Sequence, residues 1–148
     1  MFGEVFSDNL YAAAFGKPLW LYHVPSIHHG YTSYYSVFLW GLYGFYLYLF
    51  HDTLHGWNIH STRKLALIVS LEAIVLEILY NSSHLLVFGD YIFYYLPSDL
   101  WHLTSIQAIP FYFLAGAAIV KTIKRFKADP LFFILMNALL VVVLVLLT

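Results

Sequence analysis

The chain has 148 residues, of which 61% are apolar, 20% aromatic and only 10% charged. Water-soluble globular domains carry about 25% charged residues and roughly 45–50% apolar ones, so this composition excludes them and points to a small polytopic membrane protein. Eight histidines outnumber seven Lys and Arg, cysteine is absent and the formal charge is −1, which leaves no disulfide, no thiolate metal ligand and no basic surface for nucleic acid.

Residues 1–30 read as an outer-side interfacial segment. Glu4 and Asp8 give it an acidic start with no basic region ahead of an apolar one, so no cleaved signal peptide is expected. Val5 to Phe15 fits a short interfacial helix, after which Gly16-Lys17-Pro18 and Val24-Pro25-Ser26 break regular structure. The first predicted span covers about 31–50, rich in Tyr and Trp, and gives way to a polar stretch from His51 to Lys64. The second, about 65–87, carries Glu72, Glu77, Asn81 and His84. The connection 88–100 holds Asp90 and Asp99 but no Lys or Arg. The third span, about 101–120, is expected to distort near Pro110, whose ring removes a helix hydrogen bond. A basic connection, Lys121 to Lys127, precedes the last span, about 130–147, whose interior polar residue is Asn137.

The expected fold is therefore an all-α bundle of four transmembrane helices over residues 31–148. Six of the seven Lys and Arg fall in the connections 51–64 and 121–129, which alternating spans put on one side. The positive-inside rule makes that side cytoplasmic and both termini external.

Span order sorts the histidines. His23, His28, His29, His84 and His102 fall at the outer ends, and His51, His55 and His60 at the inner end. Ser70, Ala73, Glu77, Asn81 and His84 recur at helical spacing, and so do His102, Ser105, Ile109, Tyr112 and Gly116. With a short loop between the two spans, His84 and His102 would meet at similar depth, an arrangement haem iron or a divalent metal can use, with His28 and His29 as further ligands. Asn81 and Glu77 would then support the ligands from behind. The alternative is that terminal histidines simply sit in the headgroup region. His51 and His55, four residues apart, suit one metal, or else only complement the helix C-terminal dipole. Glu72 and Glu77 are intramembrane carboxyls, which are expensive to bury and commonly mark a ligand or proton pathway, although a structural, protonated role is also open.

Two resemblances follow from short motifs. His51-x3-His55 and His23-x4-His28-His29 resemble the histidine boxes of membrane di-iron desaturases, but the first span separates them and no third box follows, so that reading is rejected. From Arg63 to Leu147 the chain resembles small four-helix membrane proteins linked to cytochrome oxidase assembly, through Tyr80-x3-His84, an aromatic loop and Leu100-Trp101-His102-Leu103. That resemblance implies a haem- or metal-related role at the outer face of a bacterial plasma (inner) membrane, with His84 and His102 carried over.

The leading expectation is a haem protein, or less favourably a copper or iron protein, acting in electron transfer or within a larger respiratory-type membrane complex or homo-oligomer. The first alternative is a lipid- or isoprenoid-modifying enzyme with Glu72 or Glu77 as acid/base and His84 or His102 as partner. The second is a small proton-coupled transporter using the glutamates.

Overall fold

Two helices dominate the packing of the computed structural model, which describes residues 2–57 and 59–147. They are α3 (Thr62–Phe88) and α4 (Ile109–Ala128), and their contact is the most extensive between any two elements. The approach is close because Gly116 of α4 has no side chain: a Cβ there would lie 3.1 Å from Val69 Cγ1 and 3.2 Å from the Ala66 carbonyl of α3. Small residues at such crossings let helix backbones pack without a hydrophobic driving force.

Around this pair the described residues form α1 (Phe2–Phe15), β1 (Trp20–Tyr22), β2 (Ser26–Ile27), β3 (Thr32–Ser33), α2 (Tyr34–Gly56), β4 (Phe93–Tyr95) and α5 (Pro130–Leu147). The fold is thus mostly helical but not all-α. β1 pairs antiparallel with β4, Trp20 opposite Tyr95 and Tyr22 opposite Phe93; β2 pairs with β3. The β1–β4 ladder ties the N-terminal segment to the α3–α4 connection, so both lie at one end of the helices. At the other end Lys124 Nζ of α4 donates to His60 O at 3.0 Å, and Lys127 Nζ to Asp52 Oδ2 of α2 at 2.7 Å. The alternation of ends read from the sequence is the one the structure adopts.

Several predicted boundaries move. Residues 101–105 do not open a helix: they form a turn in which Trp101 and His102 both have positive φ, and a 3-10 turn over Ile106–Ala108 leads into α4. Pro110 falls in the first turn of α4, where its missing N–H would have no helical partner, and so causes no mid-span distortion. α4 then runs on to Ala128, making the basic stretch helical. α2 likewise continues through His51 and His55. It opens with a capping box in which Ser33 Oγ accepts from Tyr35 N at 3.2 Å and Ser36 Oγ accepts from Ser33 N at 3.1 Å.

Thr62–Phe88 and Ile106–Ala128 are each long and apolar enough to cross a membrane, yet only 33% and 22% of their apolar windows are buried. The core helix of a soluble protein would be mostly covered. Instead Leu67, Leu71, Val75 and Leu79 form an exposed stripe at i, i+4 spacing on α3, a surface suited to hydrocarbon. The main buried cluster, Tyr11, Leu19, Trp20, Tyr22, Phe93, Tyr95 and Ala108, lies at the β1–β4 end of the helices.

Candidate functional site

A cavity of about 870 Å³ opens among α1, α2, α3 and α4, within the range of small-molecule sites. Its walls are mostly apolar and aromatic, and among its lining residues stand three carboxylates, Glu4, Glu72 and Glu77, with no Lys, Arg or His. Phe6, Leu10, Leu42 and Leu114 line it and are 51–69% exposed, so its mouth is an apolar opening on the side of the bundle.

Each carboxylate is held by hydroxyl or indole donors. Glu77, in the C-terminal half of α3, accepts from Tyr95 Oη at 2.9 and 3.0 Å, from Thr104 Oγ1 and from Tyr112 Oη. Tyr95 and Tyr112 hydroxyls are themselves 2.8 Å apart. Four elements or turns therefore converge: α3 supplies the carboxylate, β4 and the 101–105 turn bring Tyr95 and Thr104, and α4 brings Tyr112. Burial among apolar groups pushes the Tyr95 phenol well up, which keeps it a donor. Glu4 of α1 accepts from Tyr22 Oη at 2.6 Å, Trp40 Nε1 at 2.8 Å and Thr32 Oγ1. Glu72 accepts from Tyr43 Oη at 3.1 Å and Tyr46 Oη at 2.7 Å, both on α2.

Glu72 and Glu77 are five residues apart, a rotation of about 140° on an ideal helix, yet both line the cavity. α2 supplies the donors to Glu72, while β4, the 101–105 turn and α4 supply those to Glu77. Gln107 Oε1, for its part, accepts from Tyr11 Oη of α1.

Asn81 is fully buried and spends its amide on main chain: Nδ2 donates to Phe93 O at 2.9 Å and Leu103 O at 2.7 Å, while Oδ1 accepts from Ile92 N at 3.1 Å and Phe93 N at 3.4 Å. It fixes β4 and the 101–105 turn onto α3, and through them Tyr95 and Thr104 onto Glu77.

His23, His28, His29, His84 and His102 lie outside the cavity lining. His84 Nδ1 is 2.7 Å from Asp90 O and His102 Nδ1 is 2.6 Å from Tyr95 O; a carbonyl only accepts, so each ring carries its proton on Nδ1. His102 stacks on Tyr94 with ring centroids 4.3 Å apart, and His23 stacks on Tyr94 at 5.6 Å. His23 Nδ1 also meets Asp90 Oδ1 at 3.0 Å, and the Asp90 carboxyl is held below its ordinary range by the Tyr91 N–H and then by His23. His28 and His29 are exposed and both have positive φ. Among the described residues no three His, Asp or Glu side chains converge to hold a metal ion.

Glu4, Tyr95, Trp40 and Tyr22 were not singled out by the sequence. Glu4 sits in an amphipathic-looking terminal stretch, and only the closure of β1 on β4 reveals that this stretch covers the cavity. No family model matches the chain, and neither a curated protein nor a solved structure is detectably similar to it.

Proposed function

We propose that this chain is an integral membrane protein, crossing the bilayer with α2, α3, α4 and α5, which takes a lipid or isoprenoid molecule into the lateral cavity and performs acid–base chemistry on it at Glu77. The carrying observation is the pairing of an 870 Å³ apolar cavity with a carboxylate–tyrosine cluster on its wall. The apolar chain of the ligand enters past Leu42 and Leu114, and its polar end lies against Glu77. In its ionised form Glu77 is the base, and the Tyr112 hydroxyl, bonded to both Glu77 and Tyr95, is the donor that returns a proton. Such a proton removal and return needs no co-reactant. The acid/base partners are thus tyrosines, in place of the histidines first expected.

Lipid co-purification tests the reading. Protein reconstituted in nanodiscs from its host membrane should retain about one molecule per chain of a single lipid or isoprenoid class, detected by mass spectrometry. Ala115→Trp, which fills the cavity wall, should lose it, and Glu77→Gln should retain it without turnover. Retained lipid with no enrichment over the bulk composition refutes the proposal.

A second reading keeps His84 and His102 as haem ligands. It is favoured by one observation: both rings commit Nδ1–H to a backbone carbonyl, the arrangement that leaves Nε2 with its lone pair for iron. It predicts absorbance between about 400 and 430 nm in the purified protein, lost in His84→Ala and His102→Ala; a colourless protein excludes it.

A further inference from the structure

We propose that the opposite end of the molecule carries a divalent transition-metal site whose protein ligands are the Nε2 atoms of His51 and His55. The two residues are four apart on α2, so they share a helical face, and their ring centroids are 4.5 Å apart. Both Nε2 atoms are buried and have no hydrogen-bond partner, and His51 as a whole is only 7% exposed. Leaving one buried polar nitrogen unpaired is costly, and two adjacent ones pointing to the same remedy call for a common partner.

The surroundings prepare both nitrogens as lone-pair donors. His51 Nδ1 faces Asp52 Oδ1 at 3.5 Å; an ionised carboxylate only accepts, so the ring proton belongs on Nδ1 and the lone pair on Nε2. His60, brought back by the α2–α3 connection, sets its Nδ1 3.1 Å from His55 Nδ1. One of these two nitrogens must hold a proton. Placing it on His55 leaves a buried lone pair at Nε2, whereas the reverse would leave a buried N–H with no acceptor, the rarer and worse-tolerated state. Asp52 and His60 therefore stand where the orienting partners of ligating histidines stand. The neighbouring cations do not compete: Lys127 Nζ is on Asp52 Oδ2 at 2.7 Å, and Lys124 Nζ is on His60 O at 3.0 Å and Thr62 Oγ1 at 3.1 Å.

Two imidazoles at i, i+4 suit Zn²⁺, Cu²⁺ or Ni²⁺ far better than Ca²⁺ or Mg²⁺, which take oxygen ligands. The remaining coordination positions go to water, consistent with the absence of a third converging ligand among the described residues. The site is distinct from the lateral cavity and does not depend on what that cavity binds.

The test uses the full chain without an affinity tag in nanodiscs. Equilibrium dialysis against Zn²⁺ should give one ion per chain, and Cu²⁺ in the same site should show electron paramagnetic resonance hyperfine structure from two imidazole nitrogens. His55→Ala should lower affinity at least tenfold, His60→Ala by roughly 10–100-fold, and the control His23→Ala, at the opposite end beside Asp90, should leave it unchanged. Because His51 is buried and its replacement can impair folding, His55→Ala and the two-nitrogen signal decide the matter. No Zn²⁺ bound at millimolar concentration, or binding undiminished in His55→Ala, overturns the proposal.

Discussion

Replacing Asn81 with alanine should unlock the cap formed by β4 and the 101–105 turn and, with it, the Glu77 cluster. The fully buried amide makes four hydrogen bonds to main-chain atoms of Ile92, Phe93 and Leu103. His23 N donates to Ile92 O and Leu96 N to Leu19 O, which makes Tyr22 and Phe93 a non-hydrogen-bonded pair of the ladder, so in the variant the N–H and carbonyl of Phe93 lose their partner together with the Ile92 N–H and the Leu103 carbonyl. Four such groups, even at the lower figure of about 1 kcal/mol each, together with the cavity left by the side chain, put the loss at about 4–5 kcal/mol. For a chain of this size that is a fall in Tm on the order of 10 °C, measurable by circular dichroism in a mild detergent. Amide exchange at Ile92 and Phe93 should accelerate in step. Asn81→Asp keeps the acceptor but turns an oxygen toward the Phe93 and Leu103 carbonyls, and should be no better. A loss below about 1 kcal/mol for Asn81→Ala would refute the idea that this residue clamps the cap onto α3, since even one net hydrogen bond is worth that much.

Two further perturbations follow from single residues. Asp8 is buried, with Oδ1 taking the Leu19 N–H and the Trp20 N–H at 3.3 Å and Oδ2 without a partner; burial pushes its carboxyl up to about 6, against the two N–H bonds. A raised folded-state value means the folded chain takes up the proton first. The stabilisation from protonation is complete below the unfolded value near 3.8 and is lost as pH rises through about 6. It amounts to roughly 3 kcal/mol. Asp8→Asn, which keeps an acceptor for both N–H groups, should flatten the melting temperature between those limits; an unchanged pH profile rules Asp8 out as its source. Gly116→Val should push α4 away from α3, because its Cβ would already sit 3.1–3.2 Å from Val69 and Ala66. Overpacking of this kind costs typically 1–3 kcal/mol, read as a lower melting temperature, and Gly116→Ala should cost less; a neutral Gly116→Val contradicts the close helix approach.

The helices were legible because hydrophobic runs and charge breaks mark them, and the placement of opposite connections at opposite ends followed from simple alternation. Boundaries were less legible where helix continues through polar sequence. His51 and His55 stay helical because α2 extends beyond its apolar stretch, and Lys121 to Lys127 do so because Lys, Arg and Phe are compatible with helix and nothing breaks it before Asp129. Trp101 and His102 look like the start of an apolar helix, but Asn81 and the Tyr95 carbonyl capture this segment through Leu103 O and His102 Nδ1. That capture depends on residues 7 to 22 positions away, beyond the reach of local periodicity. Glu77 was conspicuous against an apolar background. Its donors were not, since tyrosine at a span end is ordinary in a membrane protein and only the tertiary fold selects Tyr95 and Tyr112 from the thirteen tyrosines of the chain.

On the proposed lipid-binding function, the composition of the cavity wall also predicts which lipids are preferred. Glu4, Glu72 and Glu77 are all engaged by neutral hydroxyl or indole donors, and the lining holds no Lys, Arg or His that could meet a phosphate or carboxylate. An anionic headgroup lodged some 7 Å from one ionised carboxylate is opposed by about 2 kcal/mol at an effective dielectric constant near 20, a discrimination of roughly thirtyfold. A neutral alcohol or an amine meets no such opposition and can join the existing hydroxyl network. Nanodiscs containing equal amounts of an anionic phosphatidylglycerol and a neutral diacylglycerol or isoprenoid alcohol should therefore load the cavity with the neutral species. Glu77→Gln should narrow the preference, because one of the three charges is gone while the tyrosine and threonine hydroxyls remain to bind the amide. Preferential retention of phosphatidylglycerol by the unmodified protein would show that the carboxylates are protonated as a set or that the polar end of the ligand lies elsewhere.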